Sequence, residues 1–127
     1  MLFRSRLLER ATKPAKLGGR RKRALQPLSV SDQALFLAAM RGEHRLRGFR
    51  NCDLRRRLYP NDANDPAERR RRCARVTRLI QLLRAHGLAA KLPHTRRYRV
   101  TTAGERLMGA ATQVKERHFP QQISQAA

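Results

Sequence analysis

The segment Pro66–His86 constrains this chain most, because its ends and its two faces are all specified by residue type. Asp65 is a capping residue, Pro66 takes the first helical position, and Glu68 falls three residues after the cap. Gly87 stops the helix after His86. At about 100° per residue, Cys73, Val76, Leu79, Ile80 and Leu83 line up as one apolar stripe. Arg71 and Arg78 project from nearly the opposite side, and Arg75 from its flank. Such a helix rests one edge on a core and turns its cations outward.

The flanking segments are read by period. Ser31-Asp32-Gln33 predicts the cap of a helix carrying Leu35, Phe36, Ala39 and Met40, with Gly42 at its end. Arg45–Phe49 offers a short edge strand. Asn51 is an expected cap for a helix Cys52–Leu58, with Leu54 and Leu58 on one face, before a turn at Pro60-Asn61-Asp62. After Gly87 the period drops to two. Leu88, Ala90 and Leu92 alternate, Pro93-His94-Thr95-Arg96 makes a loop, and Tyr98 and Val100 alternate again. Thr102-Ala103-Gly104-Glu105 opens a last helix through Leu107, Met108, Ala111 and Val114. This succession predicts a mainly α fold with a small β-hairpin: a winged helix-turn-helix of three-helix core, wing and C-terminal helix.

Charge indicates the partner. Lys and Arg number 30 against 9 Asp and Glu, a formal net charge of +21. Charge of that size repels itself, and a polyanion compensates it by releasing its condensed counterions on binding. A GC-rich genome also produces an excess of Arg over Lys, here 25 to 5, but ordinarily balances it with Glu and Asp. Residues 1–27 hold nine basic residues and one acid, Glu9, with Pro14, Gly18, Gly19 and Pro27 as breakers. They are expected to form a disordered basic arm, ahead of a nucleic-acid-binding domain at 28–118 and a frayed tail at 119–127.

The candidate contacts follow from the chemistry of guanidinium, which bonds guanine or a phosphate in a bidentate manner. Arg71, Arg75 and Arg78 are expected to face a groove, with Arg69, Arg70 and Arg72 near phosphates at its mouth. Arg69 and Arg72 lie nearest the apolar stripe. His94, Arg96 and Arg97 sit at the hairpin tip, where a wing reaches a minor groove or phosphates. Arg50 and Arg55–Arg57 are placed to hold backbone phosphates. A solvated face is the competing reading of the arginine helix. Its weakness is sign, because no acid follows Glu68 within the helix.

Other classes find little support. Cys52 and Cys73 form no CxxC pair, and the four histidines lack ligand spacing, so neither metal nor cofactor is expected. No catalytic grouping or phosphate-cradling glycine loop is present, and the chain is not expected to be an enzyme. No apolar run reaches the roughly 20 residues that span a bilayer, and a cytoplasmic, nucleoid-associated location is expected.

The stretch Gly48-Phe49-Arg50-Asn51-Cys52-Asp53-Leu54-Arg55, then Arg75–Leu88, then Thr95-Arg96-Arg97-Tyr98-Arg99-Val100-Thr101 resembles winged-helix domains of the MarR-like kind. It is similar to the C-terminal domain of uncharacterised bacterial proteins with a GF-R-N-x-D-L-R element and a T-x-R-Y-R-V-T strand. The likeness covers about Ser31–Val114. It implies that Pro66–His86 enters the major groove of duplex DNA and that His94–Arg97 is the wing, as in a bacterial transcriptional regulator. Two departures stand out. The N-terminal segment is a basic tail where MarR-type regulators carry a dimerising helix, so a homodimer would use the C-terminal helix. The connection Tyr59–Asn64 is longer than a tight helix-turn-helix allows. An RNA-associated or ribosomal winged helix, and a detached DNA-binding piece of a mobile-element protein, remain alternatives.

Overall fold

The structure, a computed structural model, describes Glu9 and residues 11–118, with side chains as far as Glu116. The expected tail at 119–127 and most of residues 1–11 lie outside the described residues. Four α-helices and two antiparallel two-stranded hairpins make up the described chain. In chain order these are β1 (Ala15–Leu17), β2 (Arg20–Lys22), α1 (Val30–Ala39), α2 (Asn51–Leu58), α3 (Pro66–Ala85), β3 (Ala89–Lys91), β4 (Tyr98–Val100) and α4 (Thr102–His118). A 3-10 turn, Gly42–His44, follows α1. The expected mainly helical class with a small hairpin is what is found. Among the described residues no helix is long and apolar enough to cross a membrane.

One core joins all four helices. Leu35 and Phe36 of α1, Leu54 of α2, Val76, Ile80 and Leu83 of α3, and Leu107 and Met108 of α4 belong to a single buried cluster. Burying each such side chain stabilises the fold by about 1.5–3 kcal/mol. Phe49 joins them, and its backbone forms an antiparallel bridge with Tyr98. The edge strand expected at Arg45–Phe49 is thus reduced to that bridge. Leu107, Met108, Ala110 and Ala111 are buried within the chain. A homodimer through α4 would therefore have to use its outer face.

Three helix N-termini differ from expectation by one or two residues. Ser29, not Ser31, caps α1, because its Oγ accepts from Asp32 N at 3.2 Å. The Asp32 carboxylate is 1% exposed and instead takes Arg23 and the Gln26 N–H. Arg50, not Asn51, occupies the cap of α2, where its N–H donates to Asp53 Oδ2 at 2.7 Å. Thr101 caps α4 one residue early, accepting from Gly104 N at 2.9 Å. The C-terminus of α3 is closed as its sequence predicts: Gly87 N donates to Arg84 O at 3.0 Å and Leu88 N to Leu83 O at 2.8 Å.

The largest difference lies in residues 11–27, expected to be a disordered arm. Ala15–Leu17 and Arg20–Lys22 pair in register, joined by Gly18 and Gly19 at φ 57° and 78°. Two successive left-handed residues are what a two-residue hairpin turn requires, and glycine adopts them without strain. Behind the hairpin, Leu25 is 1% exposed and its N–H donates to Ala11 O at 2.8 Å. The folded unit therefore begins well before residue 28. High charge did not prevent folding here because the segment carries its own turn and its own core residue.

Candidate nucleic-acid interface

Capping fixes where α3 begins and hence where its arginines point. Asp65 Oδ1 accepts from Glu68 N at 2.8 Å. Glu68 Oε2 accepts from Asn64 N at 2.8 Å, one residue beyond a standard capping box. That backbone N–H, assisted by Arg72, holds the Glu68 carboxyl below its ordinary range. The acid also faces the positive end of the helix.

Arg72 belongs to this clamp. Its guanidinium donates to Glu68 Oε1 at 3.0 Å and to the Asn61 carbonyl at 2.7 Å, and it lies 4.8 Å from the Tyr59 ring centre. Arg72, expected near a phosphate, here fixes the Tyr59–Asn64 connection. Arg55 is likewise engaged, donating to Asn51 Oδ1 at 3.1 Å. Asn51 in turn donates to Cys73 O and Thr77 Oγ1, each at 3.0 Å, and so ties α2 to α3. Arg50 is exposed but lies 3.9 Å from Asp53, as does Arg56.

Five other arginines of α3 are different, whereas Arg84 lies 5.8 Å from the Tyr98 ring centre. Arg69, Arg70, Arg71, Arg75 and Arg78 are all exposed. Among the described residues, their side chains make no hydrogen bond or ion pair. Val76, Ile80 and Leu83 on the other face are at most 3% exposed. Between Arg71 and Ile80 the two edges are segregated as the sequence predicts.

The β3–β4 loop is compact. Leu92 N donates to Arg97 O at 2.9 Å, and Thr95 Oγ1 donates to Leu92 O at 2.8 Å. His94 takes a left-handed φ of 58°, and His94 and Arg96 are exposed while Arg97 is half-buried. Tyr98 stacks on Phe49 with ring centres 5.9 Å apart and packs against the core.

One cluster was missed by sequence reasoning. Arg21, Lys22 and Arg23 line a groove together with Arg75, Arg78, Leu79 and Leu82 of α3. Lys22 Nζ donates to Gln81 Oε1 at 3.0 Å. Arg23 forms a bidentate pair with Asp32 at 2.8 and 3.1 Å, which raises its pKa. His86 Nε2 lies 2.9 Å from the Arg23 carbonyl oxygen. The available signals were the Gly18-Gly19 pair and Leu82, an apolar residue on the arginine edge of α3.

Among the described residues no group of three or more His, Cys, Asp or Glu is placed to hold a metal ion. Neither a protein-family model, nor a curated protein, nor a solved structure was found to match the chain.

Proposed function

We propose that this protein binds duplex DNA as a winged helix-turn-helix, with α3 as far as Arg78 in the major groove. The observation that carries the reading is the arginine edge of α3. Three exposed guanidinium groups on that edge, at positions 71, 75 and 78, stand without an internal acceptor among the described residues, and those of Arg69 and Arg70, off the edge, are likewise without one. A major groove about 12 Å wide admits one helix and offers acceptors on guanine and on both flanking backbones. The helix order, the Phe49–Tyr98 bridge beside β4, and the exposed tip at His94 and Arg96 fit a core with a wing. The likeness of Gly48–Arg55 and Thr95–Thr101 to MarR-like domains supports the same reading, and with it a role in transcriptional regulation.

Duplex RNA fits less well, because its major groove is too narrow and deep for side chains to read. A competition assay with duplex DNA, duplex RNA and single strands tests the proposal. Retention on duplex DNA is expected, and selective retention on RNA would overturn it. Selection from a random DNA pool then reports whether binding is sequence-specific; a palindromic consensus would indicate a dimer.

A further inference from the structure

We infer that the β1–β2 hairpin is a second phosphate-gripping element, which holds the DNA backbone alongside the groove that α3 enters. The inference rests on the duplex-binding reading above and adds a second binding surface to it. In the β1–β2 register, Lys16 stands directly opposite Arg21. Both are exposed, and neither side chain has a hydrogen bond or ion pair among the described residues. Like charges directly across an antiparallel pair destabilise a hairpin. Nothing within the described chain offsets that repulsion.

The same strand places Arg21 on the groove lined by Arg75 and Arg78. Among the described residues no acid lines that groove, and the Asp32 carboxylate is occupied by Arg23. Arg75 and Arg78 belong to the edge assigned to the major groove, so an anion held between them and Arg21 lies at that groove's border. A phosphodiester backbone supplies anions in that position, and its oxygens accept from guanidinium in a bidentate manner. The hairpin is also held in place. Lys22 is bonded to Gln81, and Arg23 to Asp32 and His86. It can therefore present Lys16 and Arg21 without being ordered at the moment of binding.

The test is the full chain carrying Lys16→Ala and Arg21→Ala, titrated with a 25–30 base-pair duplex (about two to three helical turns) over a range of salt. Each phosphate that is no longer neutralised reduces the slope of log affinity against log salt by about 0.9, so a slope shallower by about 1.8 is expected. The weakening should be equal for duplexes of different sequence. Thermal melting should show the variant at least as stable as the parent, because a repulsive pair has been removed. Lys16→Arg with Arg21→Lys should keep the parental slope. A parental slope and affinity in the alanine variant would overturn the inference while leaving α3 as the binding helix. Absence of duplex binding by the parent itself would overturn both.

Discussion

The two halves of α3 share one helical edge and use it differently. At about 100° per residue, Arg71, Arg75, Arg78 and Leu82 all fall on the same side of the helix, away from Val76 and Ile80. The arginines are exposed, yet Leu82 is only 4% exposed because the β1–β2 hairpin lies beside it. The end of the helix after Arg78 is therefore covered on two sides, and the part before it is anchored on one. An edge of constant direction changes its chemistry along its length when a second element covers part of it.

Mutations in the two halves should therefore behave oppositely. Ile80→Asp is expected to have the largest effect, since it buries an unpaired charge in the common core. A loss above about 4 kcal/mol should abolish cooperative thermal unfolding. A well-folded variant would break the assignment of the stripe. Leu82→Ala should cost about 2–5 kcal/mol and release the hairpin, which protease sensitivity at Gly18-Gly19 would report. A loss below about 0.5 kcal/mol, the size of an exposed substitution, would mean that the two halves are alike.

In the N-terminal half, Arg72→Ala should destabilise by about 1–3 kcal/mol, because Arg72 is 18% exposed and bonded to Glu68 and Asn61. Arg71→Ala, its sequence neighbour, should change stability by less than about 0.5 kcal/mol. Denaturant titration of the pair separates the internal arginine from the free one.

A smaller effect concerns pH. The folded-state pKa of Glu68 is depressed, so the unfolded chain takes up this proton more readily. Its contribution is present above the ordinary carboxylate value of about 4.3 and is lost as pH falls through the lower folded value. Melting temperature against pH should therefore decline less steeply on the acid side in Glu68→Gln than in the parent. Equal slopes would show that the Asn64 hydrogen bond contributes nothing.

Much of this arrangement is legible in the residues, and what is not has a physical cause. Asp65, Pro66 and Gly87 place the ends of α3 because caps are local. The hairpin about His94 is readable for the same reason. Contacts between distant segments are not. Asn51 looks like a cap until Cys73 and Thr77 are seen beside it, 22 and 26 residues on. Arg72 looks like a phosphate ligand until the Tyr59–Asn64 connection folds back over it. The β1–β2 hairpin was obscured by its own charge, although Gly18-Gly19, Leu25 and an apolar Leu82 on an arginine edge together pointed to it.

Affinity for duplex DNA measured against salt, for the parent and for Arg71→Ala/Arg75→Ala/Arg78→Ala, tests the central claim most directly. The account predicts a parental affinity that falls steeply with salt. The triple variant should melt like the parent, and its affinity should drop by about 1–3 kcal/mol for each base that an arginine no longer reaches. A triple variant that binds as tightly as the parent at physiological salt would contradict it.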